Sequence, residues 1–200
     1  MPFRGYSSII GYQYAHSAFS LSYHCGHCNR DVSGLITAKY DTGEGEVRYL
    51  VCTNCGDGSV VTKEGVLYPP SLIGQNLEGL PQDIEMAYLE ARRCFSVKAY
   101  TACELICRKI LMHVAVEKKA KEGESFENYI KHLEALGYVT PPMKPWVDLI
   151  RTHGNISTHK LETADPQRAE STLMFTTELL RIIYEMEHKA DKYTKKTTTH

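Results

Sequence analysis

Cys25-Gly26-His27-Cys28 and its echo Cys52-Thr53-Asn54-Cys55 decide the reading of the N-terminal part of the chain. Between these two C-x-x-C knuckles, Leu35-Ile36-Thr37-Ala38-Lys39-Tyr40 and Val47-Arg48-Tyr49-Leu50-Val51 are rich in β-formers. Asp41-Thr42-Gly43-Glu44-Gly45 separates them with residues that favour a turn. A hairpin built from these two runs brings the knuckles together, and four thiolates so gathered close a tetrahedral site for Zn²⁺. A third strand is expected at Ser59-Val60-Val61-Thr62, after the second knuckle.

The order of knuckle, hairpin and knuckle resembles a zinc ribbon. One structural Zn²⁺ is expected, held by Cys25, Cys28, Cys52 and Cys55. A closed Cys₄ set leaves no coordination position for water, so such a metal holds a fold and does no chemistry. Iron in a rubredoxin-like site uses the same spacing, and the residues alone do not choose between the two. Two disulfides fit less well. The N-terminus, Met1-Pro2-Phe3-Arg4-Gly5-Tyr6, leads into a Tyr/Ser-rich stretch with no apolar signal segment, so a reducing, cytoplasmic setting is expected. His24 and His27 flank the first knuckle and read as surface residues, since the thiolates already complete the tetrahedron. Cys94, Cys103 and Cys107 sit among apolar residues at helical spacing and read as small core side chains.

Apolar residues make up 42% and charged residues 24% of the 200-residue chain, which excludes wholesale disorder. The formal net charge of −1 argues against a surface that grips nucleic acid throughout. The ribbon is acidic by itself: Arg30, Lys39, Arg48 and Lys63 are outnumbered by Asp31, Asp41, Glu44, Glu46, Asp57 and Glu64. That is the wrong sign for tracking phosphates, and a scaffold or protein contact suits it better. No apolar run approaches the roughly 18 residues of a membrane helix. The expected fold class is α+β: an N-terminal arm of unassigned role (1–23), the ribbon (24–70), a connector (71–80), an all-α bundle of five helices (81–190) and a basic tail (191–200). The arm offers either an extra strand or a contact segment.

Past Tyr68-Pro69-Pro70, helical periodicity takes over. A first helix is expected over about 81–95, with Ile84, Ala87, Tyr88, Ala91 and Phe95 on its inner face. A second, over about 98–121, is apolar nearly all round and therefore central. Its one polar stripe is Thr101, Glu104 and Arg108, where Arg108 either pairs internally with Glu104 at i,i+4 or faces another helix as a site residue. Ser125 caps a third helix whose face is Tyr129, Ile130, Leu133 and Leu136, and Gly137 ends it. Pro141-Pro142 and Pro145 open a fourth, with Trp146, Leu149, Ile150 and His153 inward. Asp165-Pro166 starts the last, with Leu173, Thr177, Leu180, Ile183 and Tyr184 inside and the Tyr184 hydroxyl reaching water.

Arg151-Thr152-His153-Gly154-Asn155-Ile156-Ser157-Thr158-His159 is expected between the fourth and fifth helices. It joins Leu80-Pro81, Tyr88-Leu89-Glu90-Ala91-Arg92 and Ala102 to Arg108 before Ile110-Leu111 in a recurring order. In these features, over about 80–188, the chain resembles the family called domain of unknown function 4145, for which a preceding zinc ribbon is a usual companion. That family is similar to the HEPN superfamily of helical bundles from prokaryotic defence and toxin–antitoxin systems. Many active HEPN members are metal-independent RNases with an Arg-x-x-x-x-His motif, often with Asn directly after the Arg. Placing Asn155 and His159 on that motif puts Gly154 where the arginine belongs. Cleavage of RNA without metal needs a proton shuttle and a fixed cation for the phosphorane charge, and glycine supplies no cation.

The resemblance therefore implies one of two things. The chain is a non-catalytic binding or adaptor protein, contacting a protein or an RNA in a defence or restriction setting. The alternative is an endoribonuclease whose site is assembled from His159, Asn155 and Arg108 or Arg151 across a homodimer of helical bundles. Arg151 serves if the helix continues through Gly154, and Arg108 serves if Gly154 allows close approach. Gly154 as a simple helix cap is the third arrangement open to these residues.

Overall fold

The computed structural model describes residues 12–14, 20–157 and 163–194. The chain divides into two compact units, Met1–Leu72 and Ile73–His200.

Among the described residues the first unit is one antiparallel sheet of six strands: β1 (Tyr12–Tyr14), β2 (Ser20–His24), β3 (Asp31–Asp41), β4 (Glu46–Val51), β5 (Gly58–Val61) and β6 (Leu67–Tyr68). The β3–β4 hairpin turns where the Asp41–Gly45 chemistry places it, with the Asp41 carboxylate accepting from Gly43 N–H at 2.8 Å and Gly43 at φ +78°. Alternation sends Gly34, Ile36 and Ala38 of β3 and Leu50 of β4 inward. Register slips between Ile36 and Ala38, so Thr37 bulges and its hydroxyl donates to the Tyr49 carbonyl at 3.2 Å. Residues expected as an arm supply β1 and β2, which pair with successive halves of the long β3.

The second unit is helical: α1 (Gln82–Ser96), α2 (Tyr100–Glu117), α3 (Phe126–Ala135), a 3₁₀ turn (Pro141–Met143), α4 (Lys144–Ser157), α5 (Pro166–Leu180), a π-helical turn (Arg181–Glu185) and α6 (Met186–Thr194). The last three run on without a break, so the described residues form five rods, the fifth interrupted by a π turn and continuing into the stretch expected as a tail. Fold class is α+β. Among the described residues no helix is long and apolar enough to cross a membrane.

Ser125 accepts from Asn128 N–H at 3.2 Å and Asp165 from Arg168 N–H at 2.8 Å, capping α3 and α5 as their sequences indicate. α2 is the central rod, packed on α1, α3 and α5 through Cys103, Cys107, Ile110, Leu111, Val114 and Ala115. It is not enclosed on every side, for Leu105 stays 57% exposed. The inner stripe of the fifth rod is as expected, with Leu173, Thr177, Leu180, Ile183 and Tyr184 all buried. The Tyr184 hydroxyl donates to Glu117 Oε2 at 2.5 Å, because burial leaves that carboxylate as its partner.

α4 departs from expectation twice. Its buried positions are Val147 and Ile150, while Leu149 is exposed and Trp146 is half-buried, its Nε1–H donating to Ser171 Oγ at 2.7 Å. An indole that keeps a polar partner has to stay at the rim of the core. The helix also runs through Gly154 to Ser157, so Gly154 caps nothing, and residues 151–157 belong to the helix and not to the link after it. A mid-helix glycine costs about 1 kcal/mol relative to alanine, which the buried apolar side chains of one helix readily outweigh.

Candidate metal centre

The two knuckles fold alike. Cys25 N–H donates to the Arg30 carbonyl at 2.9 Å and Asn29 N–H to the Cys25 carbonyl at 2.8 Å. Cys52 N–H donates to Asp57 O and Gly56 N–H to Cys52 O, each at 3.0 Å. The fourth residue after the leading cysteine turns left-handed in each, Asn29 at φ +52° and Gly56 at +79°. This geometry aims backbone amides at sulfur, as with Asn54 N–H and Cys52 Sγ at 3.4 Å. Burial pushes the Cys52 thiol up, but hydrogen bonds from the N–H groups of Cys55 and Asn54 and from the Cys55 and Cys25 thiols together outweigh it and bring the thiol down to about 6.

All four sulfurs lie within 4.8 Å of one another, with Cys25–Cys55 and Cys28–Cys52 both at 3.9 Å. Zinc–sulfur bonds of about 2.3 Å in a regular tetrahedron put sulfurs about 3.8 Å apart, against about 2.05 Å in a disulfide. Four free thiols at this spacing fit a metal ion and not two disulfides. Cys25 and Cys52 are buried, Cys28 is half-buried and Cys55 is exposed.

The flanking histidines are engaged elsewhere. His24 Nδ1 meets Asp31 Oδ1 at 2.8 Å and its Nε2 meets Asn29 Oδ1 at 3.0 Å. His27 Nε2 lies 2.9 Å from the Gly58 carbonyl, which ties the first knuckle to the strand leaving the second. Gly26 leaves room for the segment after β6: a Cβ there would stand 2.3 Å from Pro69 O and 2.5 Å from Pro70 O.

In the helical unit the stripe on α2 is rearranged relative to an internal Glu104–Arg108 pair. Glu104 takes both oxygens to Arg168 of α5, at 2.7 Å to Nε and 2.8 Å to Nη2. Nη2 donates a hydrogen bond to Oε1 and Nε faces Oε2 as an ion pair, which serves a buried carboxylate better than an i,i+4 arginine. Arg108 lies over the Phe126 ring at 4.1 Å, and its Nη1 is buried without a hydrogen-bond partner among the described residues. Burial holds its pKa below the usual guanidinium value, opposed by Glu104 and aided by the Arg168 charge. Thr101 accepts from Ala164 N–H at 3.0 Å. The backbone of α4 carries Arg151 and Asn155 one turn apart; their side chains, and His159 entirely, lie outside the described residues.

Two features had no sequence reading. Arg92, 2% exposed, donates from Nε to Ile73 O at 2.8 Å, from Nη1 to Asn76 Oδ1 at 2.8 Å and from Nη2 to Gly74 O at 3.1 Å. It ties the segment before α1 down onto that helix. A cavity of about 340 Å³ opens between α1 and α2, floored by Ile84, Ala87, Ile106 and Ile110, with the Asp83–His113 pair (3.2 Å) at its edge. Only the apolar excess of α2 hinted at it.

No curated protein and no solved structure matches the chain. A family model matches residues 89–196, taking in Arg92, Glu104, Arg108, Arg168 and the 151–159 segment. By that match over more than half its length, the chain belongs to the family described as Domain of unknown function (DUF4145).

Proposed function

We propose that this chain is a non-catalytic binding protein, an adaptor whose sheet is pinned by one structural Zn²⁺ and whose helical unit carries a degenerate HEPN-like fold. The four-sulfur cluster carries this reading. Its donor set is complete with Cys25, Cys28, Cys52 and Cys55, and the nearby imidazoles are committed to other partners. When bound, the ion crosslinks the two knuckles as a closed tetrahedral centre. The knuckles' backbone amides stabilise the thiolates, and Gly26 and the His27–Gly58 contact hold the loops in register.

A protein partner suits the acidic ribbon better than RNA. The apolar cavity between α1 and α2, with Met86 at 60% and Leu105 at 57% exposure on the same helices, supports contact with protein. Pairing of two copies through the helical unit and a prokaryotic defence setting belong to this proposal through the family resemblance alone.

One observation favours the ribonuclease alternative: α4 continues through Gly154, so positions 151 and 155 share a face. An RNA cleavage assay separates the two. We expect no activity that His159→Ala or Arg151→Ala alters. Cleavage abolished by His159→Ala overturns the binding reading.

A further inference from the structure

We propose that the outward face of the α1–α2 pair is a self-pairing surface. Two copies of the chain meet across it about a twofold axis parallel to the helices, the acidic edge of each over the basic edge of the other. The inference rests on the pairing of copies in the reading above and deepens it by assigning the surface and its charge pattern.

Residues 97–99 alone join α1 to α2, so the two helices lie antiparallel, and the Asp83–His113 contact at 3.2 Å fixes their register. Counted from that contact, Met86 lies level with Ile110 and Glu90 with Ile106. Asp83, Met86 and Glu90, at i, i+3 and i+7, form one exposed stripe on α1, and Leu105, Lys109 and Met112, at i, i+4 and i+7, form another on α2. Met86, Leu105 and Met112 are large apolar side chains left exposed, and the cavity floored by Ile84, Ala87, Ile106 and Ile110 lies between the stripes. Apolar ridges beside an apolar hollow, rimmed by charge, mark a contact surface.

Charge decides what covers it. The α1 stripe carries two acids, whereas the α2 stripe carries Lys109 with His113 beside it; Arg93 lies past the Glu90 end of the cavity. Glu90 and Lys109 form no ion pair among the described residues. A second copy can be laid face to face about an axis across the helices or along them. Across, α1 covers α1 and acid meets acid. Along, each α1 covers the α2 of the other copy at the same level, so Glu90 meets Lys109 twice and Met86 falls among Leu105, Lys109 and Met112. Such a contact closes at two copies, and like-charge opposition excludes the other orientation. Glu104 and Arg108 turn instead to Arg168 of α5 and Phe126 of α3, so they take no part.

The test is sedimentation equilibrium of the full chain with Zn²⁺ in the buffer. Wild type is expected to shift from 22.6 kDa toward twice that mass as concentration rises. Glu90→Lys and Lys109→Glu each set like charges against one another twice, and each is expected to raise the dimer dissociation constant about tenfold or more. Mixing the two variants restores the dimer, as does the double variant carrying Glu90→Lys and Lys109→Glu. Both positions are exposed, and a loss of folding would not be repaired by mixing. Self-association that neither reversal weakens overturns the proposal, and so does weakening that mixing fails to repair. A wild type still monomeric at about 100 µM overturns it too, leaving the binding reading with a different protein as partner. RNA cleavage, which overturns the binding reading, leaves the sedimentation result unchanged.

Discussion

Asn29 and Gly56 occupy equivalent left-handed positions in the two knuckles, and the difference between them is open to measurement. Asparagine tolerates this region, whereas alanine meets a steric cost of about 1–2 kcal/mol. Gly56→Ala is therefore expected to destabilise the zinc-loaded sheet by about that amount in urea denaturation, and Asn29→Gly by a few tenths. In the helical unit, Arg92→Lys replaces a planar fork with a point charge and cannot serve Ile73, Gly74 and Asn76 together. A loss of about 2–3 kcal/mol is expected from equilibrium unfolding. Glu104→Ala removes the carboxylate paired with the Arg168 guanidinium, whose side chain is 10% exposed, and should cost about 3 kcal/mol by the same measurement. None of these partnerships was legible beforehand. The spacing of Glu104 and Arg108 advertised an internal pair, but a helix surface says nothing of what the facing helix brings, and here α5 brings a better arginine.

At the scale of elements, Gly26 decides whether the first knuckle accepts the Tyr68–Pro70 segment. Gly26→Ala drives a methyl into two backbone carbonyls that cannot swing away, and about 2–3 kcal/mol of overpacking is expected. A falsifying result would be an unchanged urea midpoint for the metal-loaded variant. The π turn places Glu185, 7% exposed, against Lys189 at 3.0 Å, Arg181 at 3.3 Å and Glu78 N–H at 3.4 Å. Burial opposes its charge, but these partners prevail and hold its pKa below the usual carboxylate value. A depressed folded-state pKa contributes stability above the unfolded value of about 4.3 and loses it as pH falls through the folded one. The urea midpoint should thus fall as pH drops from about 5 through 4.3 and below, more steeply in the wild type than in Glu185→Gln. The period of α4 was readable and Ile150 faces inward as expected, but Val147 is buried in place of Leu149 and Trp146 stays at the rim with its indole N–H on Ser171.

For the whole molecule, the two units differ in what holds them. The helical unit has a core running from Ile84 to Tyr184 across its helices, whereas the sheet buries few apolar side chains and gathers four thiols. Metal analysis is expected to find about one Zn²⁺ per chain, and a chelator to unfold the sheet while circular dichroism still reports helix. Cys52→Ser with undiminished metal content would contradict the assignment. The chemistry of local spacing determined the four-cysteine cluster, the hairpin between the knuckles, the caps at Ser125 and Asp165 and the family, because each depends on residues near in sequence or on an ordered motif. Only the tertiary structure decided that residues 12–14 and 20–24 join the sheet, that Glu104 belongs to Arg168 and that Arg92 ties down the 73–76 segment. Those pairings join positions far apart in the chain, and which buried polar groups meet is settled by packing, where each must find a partner or remain unsatisfied.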